Sequence, residues 1–165
     1  MTGIHELIDR QRQFDAPPAE PEPPAATTPV NEGLEFLIAE ARRMRDANWV
    51  DLEIILGGEI VAVAFGETSG DTWMHLCGSN PPKRDSDRPY GYDCAAVSRA
   101  FPAERIKLQG KPTDASTWAS VWDLLAEEDC ANVQAVLWGI HIGDHLEARK
   151  RLMAQRDAPS EAAAD

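Results

Sequence analysis

Two histidines four residues apart are the first candidates for chemistry in this chain. In His141-Ile142-Gly143-Asp144-His145, helical spacing places both imidazoles on one face, where they could share a metal ion. The metalloprotease form of this spacing requires a glutamate directly after the first histidine, and Ile142 stands there instead. Asp144 is poorly aimed as a third ligand. A small metal-binding enzyme using the His pair is therefore the alternative reading, and the expectation is two polar histidines near the end of a surface helix. His75 and Cys77 lie two residues apart and point to different faces of a helix, which argues against a nucleophile–base pair. Gly57-Gly58 and Gly66 lack the spacing of a phosphate-binding loop. The three cysteines, Cys77, Cys94 and Cys130, form no C-x-x-C pair and are expected to be reduced and mostly buried. No catalytic residue, metal or cofactor is expected, and the chain is not expected to be an enzyme.

Five tryptophans are many for a chain of 165 residues. Trp73, Trp118, Trp122 and Trp138 fall on apolar stripes and suit a core, while Trp49 sits at a helix-to-strand junction. Aromatic side chains also anchor protein interfaces, so a tryptophan on a partner surface is the competing use.

The elements that would position these residues follow from periodicity. Residues 1–14 place Ile4, Leu7 and Ile8 on one face of a short helix. Residues 15–30 are rich in proline and acid and read as an extended linker. Residues 31–157 read as a single α+β domain, mainly helical, with one β-hairpin, and residues 158–165 as a disordered acidic tail. Asn31 is placed to cap a helix carrying Leu34, Leu37, Ile38, Ala41 and Met44, which should stop near Asn48. Alternation from Val50 to Phe65 about Gly57-Gly58 predicts the hairpin. The remainder reads as helices: one capped by Ser69 or Asp71 and ended by Pro81-Pro82, and a brief one capped by Asp93. A third restarts at Phe101-Pro102 and runs through Ile106 and Leu108. Gly110 to Pro112 breaks the pattern, Thr113 or Asp114 opens the next helix, and the last starts near Asp129.

Composition narrows the function class. The net charge of −12 opposes binding to a nucleic-acid backbone, where each phosphate contact needs a Lys or Arg. No apolar run approaches the roughly 20 residues that cross a bilayer, and the N-terminus lacks the apolar block of a signal peptide. A cytosolic protein that binds other proteins, with no nucleic acid and no membrane among its partners, is expected; its acidity suits keeping a sticky client in solution.

An ordered set of short motifs runs from Val50 to His141. After the hairpin come Asp71-Thr72-Trp73 through Leu76, then Asn80-Pro81-Pro82, a charged loop and Gly91-Tyr92-Asp93. Phe101-Pro102-Ala103, Asp114-Ala115-Ser116-Thr117-Trp118 and Leu137-Trp138-Gly139-Ile140 follow. In this order they resemble the tail assembly chaperones of long-tailed bacteriophages, especially those infecting actinobacteria. Asp93 stands where asparagine is common in that family, and the interval from Gly91-Tyr92 to Phe101-Pro102 is a few residues longer than the family pattern. The resemblance implies a chaperone that binds and solubilises the tape measure protein, helps to recruit the major tail protein, acts in the host cell cytoplasm and is absent from the mature virion. Self-association is a further option. Another phage morphogenesis protein or minor structural component is the alternative. The implied protein-binding residues lie between the hairpin and the last helix: Trp73, Pro81, Pro82, Tyr92 and Trp118. Tyr92, after a charged loop and a glycine, is expected at the surface.

Overall fold

The computed structural model describes residues 32–157. The expected N-terminal helix, the proline-rich linker, the Asn31 cap and the acidic tail lie outside the described residues. Contacts divide the chain after Phe36, and the compact unit beginning at Leu37 holds the features below.

That unit is α+β. Helix α1 (Glu32–Ala47), of which the unit holds the part from Leu37 on, leads into β1 (Trp49–Leu56) and β2 (Glu59–Gly66). Gly57 and Gly58 take φ of +62° and +85°, the two left-handed positions that a tight hairpin turn requires. The register pairs Leu56 with Glu59 and continues to Trp49 with Gly66. Then come α2 (Gly70–Gly78), a loop containing a short 3₁₀ turn, and α3 (Cys94–Arg99). A second 3₁₀ turn (Ala103–Arg105) leads into β3 (Ile106–Leu108) and β4 (Lys111–Pro112). Helices α4 (Ala115–Trp122) and α5 (Glu127–Trp138) follow; a π turn (Gly139–Gly143) joins α5 to α6 (Asp144–Asp157).

The sheet has the order β1-β2-β3-β4, all antiparallel. The expected helix after Phe101-Pro102 is therefore corrected: only the 3₁₀ turn is helical, and Ile106 and Leu108 form a strand. They flank Lys107 with a period of two, and β3 pairs Phe65 with Ile106 and Val63 with Leu108. The expected break is also a turn, with Gln109 and Gly110 at φ of 52° and 74°, and it folds β4 back on β3.

One face of the sheet carries the core. Ile54, Val63, Phe65 and Ile106 are essentially inaccessible, and Trp118, Val133, Leu137 and Ile140 close over them from the helices. Phe65 meets Trp118 edge-on at 5.4 Å and Phe101 at 6.1 Å. Each such side chain contributes about 1.5–3 kcal/mol by leaving water. Trp118 also donates its indole N–H to the Ser98 carbonyl at 2.9 Å, so its one polar atom is satisfied. Residues of the opposite register, Asp51, Glu53, Ile55, Ile60 and Ala62, are exposed on the other face. Among the described residues, α1 likewise leaves Leu37, Ile38 and Met44 exposed.

The predicted caps fall where the chemistry puts them. Ser69 accepts from the Thr72 amide, Asp93 from Ala96, and Asp114 from Ser116 and Thr117. Trp49, at its junction, is engaged within the chain: Arg105 and Lys107 lie over its ring at 4.8 and 3.9 Å, and its indole donates to the Asp46 carbonyl.

Candidate functional site

The residues between the hairpin and the last helix surround a cavity of about 260 Å³. Trp73 from α2 and Tyr92 from the following loop meet edge-on at 5.6 Å on one side. Tyr90 stands at the mouth, 47 % exposed. Cys94 and Val97 of α3, and Gln134 and Trp138 of α5, complete the wall. A cavity of roughly 150 Å³ already admits a benzene ring, so this one has room for a large apolar side chain.

The loop that supplies both tyrosines is pinned at its ends. The Asn80 side chain donates to the Leu76 carbonyl, and the Asn80 carbonyl accepts from the Asp93 amide at 2.8 Å. Lys83 pairs with Asp93 at 3.1 Å, and the Asp87 carboxylate accepts from the Arg84 amide. Gly91 has φ +81°, which explains a glycine between Tyr90 and Tyr92. Asp93 caps α3, and its carboxyl is held below the usual carboxylate range, first by the Ala96 amide.

Electrically the wall is neutral. Burial pushes the nearby Cys77 thiol up to about 11 and raises the Cys94 thiol, with Asp87 and Asp93 adding to the latter effect. Burial also drives the Tyr92 hydroxyl far above its ordinary range. These groups are uncharged at neutral pH and poor nucleophiles. The arrangement can accept an apolar or aromatic side chain but offers no acid–base pair.

The histidine pair is also accounted for. His141 is half-buried and stacks on Trp73, the rings 4.1 Å apart and 7° from parallel. Its Nδ1–H donates to the Leu137 carbonyl at 2.8 Å, and its Nε2 accepts from the Thr68 amide at 3.0 Å. These partners fix a neutral tautomer and leave no lone pair for a metal. Burial holds its pKa below the ordinary histidine value. His145 Nε2 lies 2.8 Å from Glu67. His141 is thus a packing residue and not a surface one. Among the described residues, no three His, Cys, Asp or Glu side chains form a group able to hold a metal ion.

Of the five sequence candidates, Trp73 and Tyr92 come together in the cavity wall. Tyr92 is corrected from surface to buried, only 5 % exposed, because it packs against Trp73. Trp118 is corrected as well: it is wholly inaccessible at the centre of the core and cannot touch a partner. Pro81 and Pro82 are exposed on the loop, outside the cavity lining. Sequence reasoning missed Tyr90, Gln134 and Trp138. The last two carried a usable signal: Ala131, Gln134, Ala135 and Trp138 recur at helical spacing on one side of α5. The motifs behind the resemblance are also explained locally. Gly91 serves a positive φ, Asp93 and Asp114 are caps, and Phe101, Trp73 and Trp118 are core. No family model, no curated protein and no solved structure matches this chain.

Proposed function

We propose that this chain is a tail assembly chaperone of a long-tailed bacteriophage. In this reading it binds and solubilises the tape measure protein, helps to recruit the major tail protein, works in the host cytoplasm and leaves before the virion matures. It acts by binding and not by catalysis. The observation that carries the reading is the order of the motifs from Asp71-Thr72-Trp73 to Leu137-Trp138. The cavity supports it, because a long helical client offers apolar side chains at regular spacing and a neutral aromatic pocket is suited to seat one. The acidic surface would keep the loaded complex in solution.

Co-expression with the tape measure protein encoded by the same phage tests the reading. The chaperone should keep that protein soluble and co-purify with it, and it should be missing from purified particles. Tyr90→Ala, an exposed change at the cavity mouth, should weaken client binding by about 1–2 kcal/mol with stability unchanged. Tyr92→Ala is the poorer probe, because a buried side chain lost from the wall lowers stability too. A tape measure protein that stays insoluble with the wild type present would end the proposal. Recovery of the chain from mature particles would favour a structural component instead.

A further inference from the structure

Helix α5 has a second flank, and it faces a different surface. Across it from the aromatic cavity lies a groove of about 500 Å³, bounded by the open face of the hairpin and the α4–α5 junction. Its apolar centre is exposed: Ile55 is 59 % accessible, Ile60 67 % and Leu124 72 %. Ile55 and Ile60 sit directly opposite each other in the register, so their side chains form one continuous step beside the turn. Glu53 and Glu128 border this centre, and among the described residues no Lys or Arg lines the groove. The floor is fixed. Ile55 belongs to the outer strand of the sheet, and its outward amide donates to the buried Asp129 carboxylate at 3.1 Å, which ties β1 to α5.

Three large aliphatic side chains held in water on a rigid frame gain nothing for the fold. Covering them would release water, and the carboxylates beside them select the sign of what covers them. We infer that this groove is a docking site for an amphipathic segment of a partner protein, with aliphatic anchors for Ile55, Ile60 and Leu124 and Lys or Arg flanks for Glu53 and Glu128. The assignment stands apart from the tail-assembly reading, since it rests on the groove alone.

The test uses the full chain and a fluorescent peptide of about 14 residues, four helical turns, with leucine on one face and lysine on the other. A leucine–glutamate peptide and a serine–lysine peptide are the controls. Anisotropy should show binding of the leucine–lysine peptide alone, several-fold weaker when salt is raised from low to physiological strength. Ile60→Ser with Leu124→Ser, and separately Glu53→Lys with Glu128→Lys, should each weaken it about tenfold or more. Asp85→Lys with Glu104→Lys, which reverses two acids away from the groove, should change it by no more than about twofold. Equal loss from the remote pair would reduce the effect to net charge and overturn the assignment. Binding of either control peptide as tightly as the leucine–lysine one, or no binding at all, would also overturn it. So would a concentration-dependent dimer abolished by Glu53→Lys with Glu128→Lys, which would put a second copy in the groove.

Discussion

The two flanks of α5 are made by one helix yet offer opposite surfaces. Ala131, Gln134, Ala135 and Trp138 close a neutral cavity with Trp73 and Tyr92. Glu128, Asp129 and Asn132 border an acidic aliphatic groove with Ile55 and Ile60. Between them Val133 and Leu137 point into the core. The difference shows how a small domain can present two kinds of contact without a second fold. The cavity suits a single uncharged anchor and should be indifferent to salt, whereas the groove depends on charge and should weaken as salt rises.

The comparison can be broken most severely at the shared core. Trp118→Ala should cost about 3–5 kcal/mol, because it opens a void beneath both flanks and strands the Ser98 carbonyl. Denaturant unfolding should show it, and both surfaces should fail together. Asp129→Ala separates the flanks. It removes a charged acceptor from the Ile55 amide and should cost about 1.5–3 kcal/mol. Hydrogen exchange should quicken at Ile55 while the Asp93 amide, bonded to the Asn80 carbonyl, stays as protected as in the wild type. Gly91→Ala acts on the other side. A Cβ at φ +81° should cost about 1–2 kcal/mol and loosen the tyrosine loop, weakening the cavity and sparing the groove.

Acidity should give a smaller and graded effect. His141 is neutral in the fold, with a pKa lowered by burial, so the unfolded chain takes up its proton first as pH falls. Its contribution is fully present above the unfolded value of about 6.5 and is lost as pH drops from there through the folded value. Unfolding midpoints between pH 8 and 5 should show this slope, and His141→Gln should flatten it. The least effect belongs to the groove. Ile60→Ser and Leu124→Ser should change stability by no more than about 0.5 kcal/mol each, because both side chains are already in water.

What the sequence made legible was what repeats or punctuates. Eight-residue strands about Gly57-Gly58 carry several periods, and caps such as Ser69, Asp93 and Asp114 bond within their own turn. β3 carries only Ile106-Lys107-Leu108, too little alternation to outweigh a helix reading, and its turn begins on Gln109, a residue that rarely takes a left-handed φ. Burial at single positions was harder, because it depends on the far side of the contact. Tyr92 follows a glycine and a charged loop, yet Trp73 covers it. His141 lies on a polar-looking stretch, yet Thr68 and Trp73 enclose it. The groove was invisible for the same reason: only the assembled sheet shows that Ile55, Ile60 and Leu124 face water side by side.

The most direct test is hydrogen exchange on the full chain, alone and co-purified with the tape measure protein. The account predicts new protection in the bound state at the tyrosine loop, residues 80–93, and along α5, with the already closed amides of Phe65 and Trp118 unchanged. Protection that is identical in the two states across both flanks of α5 would contradict it.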